Sequence, residues 1–174
     1  MKRPEEDEDG FRALVQQEWV SLTRTAFLLT GDRDYAEDLV QAALEKTHRR
    51  WGSVAHLDSP RAYVRRVMIN TATSWRRRRS FGELPQEPTE AVYLPGGFEQ
   101  VEQRQQLLAA LQLLPPKMRA VLVLSYFEDL PDQQIAEAMG SSVATVKSQR
   151  SRGLGRLREQ IGVSPLFDTA VQEG

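Results

Sequence analysis

The stretch from Leu130 to Arg158, LPDQQIAEAMGSSVATVKSQRSRGLGRLR, constrains this chain more than any other. It predicts two helices joined by a tight turn. Asp132 is placed to cap the first, its carboxylate accepting a backbone N–H of the opening turn. Ile135, Ala136 and Met139 recur at helical spacing and form one apolar face. Gly140 follows, where a helix end favours the one residue that enters the left-handed region without a Cβ penalty. Ser141 or Ser142 can cap the second helix. There Val143 and Val146 point to the core, as do Leu154, Leu157 and Ile161 further on. At about 100° per residue, Ser148, Ser151 and Arg152 fall opposite Val146, with Lys147 on the flank. This outer face carries hydroxyls and cations and meets no acid before Glu159. It suits a DNA major groove, where hydroxyls and Arg152 reach base edges and cations meet phosphates. The plainer reading is a surface hairpin with a solvated basic face. The Ala–Gly–Val framework coinciding with that face favours DNA. Gly153 and Gly155 each cost about 1 kcal/mol relative to Ala inside a helix, so the second helix is expected to fray or end early there.

The 174 residues permit one ordinary domain or two small helical ones. With no cysteine, disulfides, thiolate catalysis and cysteine-based zinc sites are excluded. His48 and His56 are too few for a His-rich metal site, and no metal or cofactor is expected. No apolar run is long enough to cross a bilayer, and MKRPEEDEDG does not read as a signal peptide. The expectation is a cytoplasmic protein without membrane insertion. The net charge of −1 hides segregation. Acids gather at Glu5 to Asp9 and mid-chain, while bases gather at Arg76 to Arg79 and in the helix-turn-helix. Local patches of this kind set the field that DNA feels.

Residues 1–10 are acidic and polar, and read as disordered. From Phe11 a helical pattern runs through Leu14, Val15, Leu22, Ala26 and Leu29 to a stop at Gly31-Asp32. A second helix starts near Asp34, with Glu37 three residues on in a capping-box-like arrangement. Ala36, Leu39, Val40, Ala43, Leu44 and Thr47 form its apolar face. Asp38, Gln41, Glu45 and Arg49 form the other. A loop spans Trp51 to Asp58. Ser59 caps a third helix with Pro60 at its first position. Tyr63, Val64, Val67, Met68, Thr71 and Trp75 line its inner face, and it runs out into Arg76-Arg77-Arg78-Arg79. Residues 81–100, punctuated by Gly82, Pro85, Pro88, Pro95, Gly96 and Gly97, read as a flexible linker. A long helix follows with Val101, Leu107, Leu108, Leu111 and Leu114. Pro115-Pro116 ends it and opens the next, where Val121, Leu122, Leu124 and Phe127 are apolar. No stretch alternates like a half-buried strand. The fold class is therefore all-α: two small helical domains, 11–80 and 101–162, joined by a flexible linker and followed by a tail, 163–174. Each core is expected to be modest.

The AEDLVQ stretch around Asp38, the SPRAYVRRVMINTA segment from Ser59, the arginine run, the linker and the helix-turn-helix stand in a fixed order. This order resembles the sigma factors of bacterial RNA polymerase, specifically the small extracytoplasmic-function class. That class keeps two domains, called region two and region four. The resemblance covers roughly residues 11–80 and 101–162. It implies a transcription initiation factor. The helix bearing Asp38, Leu39, Gln41 and Glu45 would dock on the clamp coiled coil of core RNA polymerase. The loop 51–58 would capture a base flipped out of the downstream promoter element, and the strand must be held to offset the cost of extrusion. Arg61, Arg65, Arg66, Asn70, Thr73 and Ser74 would face the duplex and the melted strand, and Arg76, Arg77, Arg78 and Arg79 would hold phosphates. The helix-turn-helix would read the upstream promoter element. Lys147, Ser148, Ser151 and Arg152 would reach bases or phosphates, with Thr145 and Arg150 nearer the backbone. Small Ser151 replaces what is often a larger residue. An anti-sigma factor is a further implied partner.

On the residues alone several choices stay open. The Asp38 face could be merely solvated, Trp51 could stack on a base or close the core, and Asn70 could bond a base edge or another helix. No nucleophile–base pair, phosphate-cradling glycine loop or metal cluster stands out, so an enzyme is not expected. A nuclease would need clustered carboxylates near the basic patch. Two competing readings are an ordinary helix-turn-helix regulator acting as a dimer on a palindrome, and an interaction module whose partner masks the basic faces.

Overall fold

The computed structural model describes residues 4–79 and 98–161, with side chains over 8–75 and 101–161. Among these residues every regular element is helical, as the periodicity predicts.

Helix α1 (Pro4–Thr30) begins well before Phe11, so the backbone of the acidic segment is helical from Pro4 and not disordered as expected. Proline is tolerated at a first helical position, and an acidic sequence suits the positive end of the helix dipole. The helix stops where Gly31 enters the left-handed region at φ 74°. Helix α2 (Arg33–His48) is capped by Asp32, whose carboxylate accepts from the Tyr35 N–H at 2.9 Å. The cap thus lies two residues before Asp34. Asp34 instead sits in the first turn, and Lys46 and His48 in the last, each matched to the local sign of the dipole. The expected apolar face, Ala36 to Thr47, is buried in full.

The expected loop at 51–58 opens with one helical turn, α3 (Trp51–Val54). Trp51 is buried edge-on against Phe11, ring centroids 5.3 Å apart. It closes the core. Ser59 caps α4 (Pro60–Arg79) by accepting from the Ala62 N–H at 3.1 Å. Val64, Met68 and Thr71 are buried as predicted, and Ile69 joins them.

Helix α5 (Phe98–Leu113) starts inside the stretch assigned to the linker; residues 80–97 lie outside the described ones. Pro115 breaks the chain in extended geometry, and Pro116 opens α6 (Pro116–Leu122). A π-helical turn continues it (Val123–Phe127). The wider turn accommodates one extra residue, and Phe127 at its end is exposed, unlike the apolar Val121, Leu122 and Leu124 before it, which are buried.

In α7 (Asp132–Met139) the expected cap is absent. The N-cap residue is Pro131, and the Asp132 carboxylate instead accepts a bond from Arg150. Gly140 is left-handed, φ 60° and ψ 39°, as the turn requires. Ser142 is the residue that caps α8 (Val143–Ile161), accepting from the Thr145 N–H at 3.1 Å. This helix runs unbroken through both glycines. Gly153 has a reason to be there: a Cβ would lie 3.0 Å from Leu122 Cδ1, so its absence lets α8 lie close on α6.

The two modules pack on each other. One core cluster draws Leu22, Leu39, Val64 and Met68 from the first and Val121, Leu124, Ile135 and Val146 from the second. A smaller cluster, including Leu111, Leu114, Met118, Leu122 and Leu157, holds α5, α6 and α8 together. Arg119 pins the junction. Its guanidinium, buried with the rest of the side chain, donates to the carbonyls of Leu111, Gln112, Leu114 and Leu29 at 2.6 to 2.9 Å. Gln112 donates to the Leu28 carbonyl at 3.0 Å.

Candidate nucleic-acid interface

Helix α8 builds the first candidate face. Val146 and Leu157 are buried and fix its rotation. Thr145, Lys147, Ser148, Ser151 and Arg152 are exposed, as the helical arithmetic predicts. Arg150 differs. It is only partly exposed and pairs with Asp132, tying the two helices of the motif together. Within this structure it joins α7 to α8 beside the packing of Ile135, Ala136 and Val146 in the shared core. Arg156, exposed one turn beyond Arg152, extends the cationic flank; adding four to 152 would have found it.

The second candidate face lies on α4. Arg61, Arg66 and Asn70 are exposed, and Thr73 and Ser74 are half-buried. Thr73 turns its hydroxyl to the Ile69 carbonyl at 2.9 Å. Arg65 is buried, against the expectation that it faces DNA. Its guanidinium meets Glu128 of the second module at 3.2 Å. Arg61 reaches the same carboxylate at 3.5 Å and Glu18 at 2.9 Å. The Thr25 hydroxyl donates to the other Glu128 oxygen. Sequence reasoning missed Glu128 because an acid at the end of an apolar run, beside Asp129, reads as part of a solvated turn. The side chains of Arg76 to Arg79 lie outside the described ones.

The α2 face is divided. Asp38, Gln41 and Glu45 are exposed, and Glu45 pairs with Arg49 at 3.8 Å. Leu39 is fully buried and cannot belong to a docking surface in this structure. Its place in the expected set conflicts with its place on the apolar face, and the apolar face prevails. No helix among the described residues is long and apolar enough to cross a membrane.

A helix-turn-helix with an exposed hydroxyl-and-cation face, carried beside a second helical module, defines a DNA-binding protein of transcription. The family described as Sigma-70 region 2 matches residues 14–81, and Sigma-70, region 4 matches 104–157. An RNA polymerase sigma-E factor of Streptomyces avermitilis is 40% identical over 162 residues, covering 93% of this chain and 90% of the relative. That of Streptomyces antibioticus is 38% identical with the same coverage. The ECF RNA polymerase sigma factor SigL of Mycobacterium tuberculosis is 30% identical over 88% of this chain and 91% of its own. Among solved structures, the sigma factor RpoE of Bartonella quintana, in complex with the anti-sigma factor NepR, has the same fold. Its TM-score is 0.75 at 24% identity, over 88% of this chain and 98% of that one. The chain belongs to the sigma-70 family of RNA polymerase sigma factors, in the extracytoplasmic-function class.

Proposed function

We propose the following division of labour for a factor that binds core RNA polymerase and directs promoter recognition and melting. The exposed side chains of α2, Asp38, Gln41 and Glu45, meet the polymerase clamp. Helix α4 takes the downstream element through Arg61, Arg66 and Asn70, and through Arg65 once it is released from Glu128. Arg76 to Arg79 hold phosphates beyond it. Residues 11–80 act as the region-two unit and 101–162 as the region-four unit. Melting proceeds by trapping unpaired bases and involves no covalent chemistry, so the protein is not an enzyme. It acts in the cytoplasm with the polymerase and DNA. An anti-sigma factor is a further partner, as NepR is for the sigma factor RpoE.

The observation that carries this reading is the outer face of α8. Lys147, Ser148, Ser151 and Arg152 are exposed on a helix that buries Val146 and is tied to α7 by the Asp132–Arg150 pair. Such a face reads the upstream element, with Arg152 placed for guanine. The test is reconstituted transcription on a genomic fragment library, with core polymerase and with or without this chain. New starts sharing two spaced upstream motifs are the expected result. Footprints made by the protein alone, as a dimer and without new starts, would replace this reading with an ordinary regulator.

A further inference from the structure

The far end of α8 carries two exposed cations, Arg156 and Arg158. Neither side chain has an ion-pair or hydrogen-bond partner among the described residues, whereas Arg150 on the same helix is paired with Asp132. Between them stands Leu157, buried in the smaller core cluster, with Leu154 and Ile161 packed against that cluster. At about 100° per residue, the two neighbours of a buried side chain leave on opposite flanks of the helix, about 160° apart. Arg158 falls within about 20° of Lys147, eleven residues earlier, and Arg156 within about 40° of Arg152. The outer face of α8 thus has two cationic edges. Along its middle, Ala144, Ser148, Ser151 and Gly155 place nothing longer than a serine side chain between those edges.

A helix with its side chains is about 10–12 Å across, and the major groove is about 12 Å wide. The flanks of an inserted helix therefore face the two phosphate rims. Arg156 and Arg158 stand about 12 and 15 Å along the axis beyond Ser148. A straight helix cannot follow the curving floor of the groove that far. Its end rises from the bases, while the rims stay within reach of long side chains on its flanks. Glu159 falls about midway between the two arginines, over the floor that the helix has left. We infer that Arg156 and Arg158 bind backbone phosphates on opposite strands of the upstream element, a two-sided clamp that fixes the register of α8 without reading bases. Both are positioning residues, and base choice stays with Ser148, Ser151 and Arg152. A cation in the last turn also favours the helix dipole. That accounts for Arg158 in the last turn, but not for the placement of the pair on opposite flanks. The inference rests on the reading of α8 as the helix that enters the upstream element.

The experiment uses the full chain assembled with core polymerase, and a promoter duplex recovered from the transcription screen. Affinity is measured across a salt series for Arg156→Gln, Arg158→Gln and Arg152→Ala. Each glutamine variant should weaken binding about fivefold at about 0.15 M salt, and make the slope of log K against log salt shallower by about 0.9. The loss should be equal on duplexes with altered upstream bases, whereas Arg152→Ala changes their ranking. Arg156→Lys and Arg158→Lys keep the charge and should stay near the parent. Arg12→Gln removes an exposed cation from α1 and should leave the slope unchanged. Ethylating single phosphates then assigns the strands. The phosphates whose ethylation no longer matters in Arg156→Gln and those in Arg158→Gln should lie on different strands. If Arg158→Gln melts early by circular dichroism, Arg156→Gln and the ethylation pattern of the parent decide. Parent-like affinity and slope in the glutamine variants overturn the clamp. The reading of α8 survives that result if Arg152→Ala still changes base preference, and falls with the clamp if it does not. A loss that depends on base sequence, an equal change of slope in Arg12→Gln, or ethylation signals confined to one strand also overturns the clamp.

Discussion

Arg119 Nη1 donates to the Leu29 carbonyl across 2.7 Å, so a guanidinium of the second module caps the last turn of the first helix. The carbonyls of Leu111 and Gln112, in the last turn of α5, turn to the same side chain. Two helix C-termini, each the negative end of a dipole, thus converge on one buried cation. Carbonyl oxygens answer its charge where a carboxylate would be the usual partner.

Arg119→Met should be among the most damaging substitutions. Each buried carbonyl left without a donor costs about 1–3 kcal/mol, and several are stranded together. A loss of about 3–5 kcal/mol is expected in urea unfolding. Arg119→Lys should recover only part of it, because an ammonium on a flexible stem cannot span carbonyls spread around a planar fork.

Leu39 and Asp38 are neighbours with opposite fates. Leu39→Ala empties a fully buried site and should cost about 2–5 kcal/mol of stability. Asp38→Arg on the exposed face should leave stability within about 0.5 kcal/mol. Polymerase affinity should fall roughly tenfold, the weight of one residue worth over 1 kcal/mol at an interface. Unfolding curves and a polymerase titration separate the two.

The two glycines of α8 should respond differently to alanine. Gly155 faces open space, so Gly155→Ala gains about 1 kcal/mol of helix propensity. At Gly153 the new methyl meets Leu122, itself buried, at 3.0 Å from Cδ1 and 3.2 Å from Cγ. Overpacking of about 1–3 kcal/mol offsets the propensity gain. Thermal melts should rank Gly155→Ala above the parent and Gly153→Ala below Gly155→Ala.

Arg152→Ala should weaken upstream recognition by about 1–3 kcal/mol and relax the preference at one base position. Polymerase binding should stay at the parent level. Competitive binding of the holoenzyme to promoter variants measures the first, and polymerase titration the second.

What was legible in the sequence follows the range of the forces involved. Gly140, the Ser59-Pro60 start and the burial of Val146 obey rules that act within one turn, so spacing alone finds them. The helix-turn-helix face is legible for the same reason, since every side chain on it is placed by one helix. The Asp132–Arg150 pair is not, because the local rule offered Asp132 a backbone N–H and a guanidinium from the next helix won. Trp51, left open between a base and the core, is decided by contact with Phe11 far back in the chain. Arg65 and Glu128 misled most. Each reads as a surface charge, and their burial exists only because two modules meet. The π turn compounds this, since Phe127 at its end is exposed while Val121, Leu122 and Leu124 before it are buried.

The capping of α1 from across the junction has a consequence for how the chain melts. The carbonyls of Leu28 and Leu29 find their donors in Gln112 and Arg119, so neither half is a finished domain by itself. Heat or denaturant should take the whole chain apart in one cooperative transition, with no plateau at which one half survives alone. Parting the halves without unfolding them is then a partial denaturation in its own right. Water must take up what Arg119 and Gln112 let go.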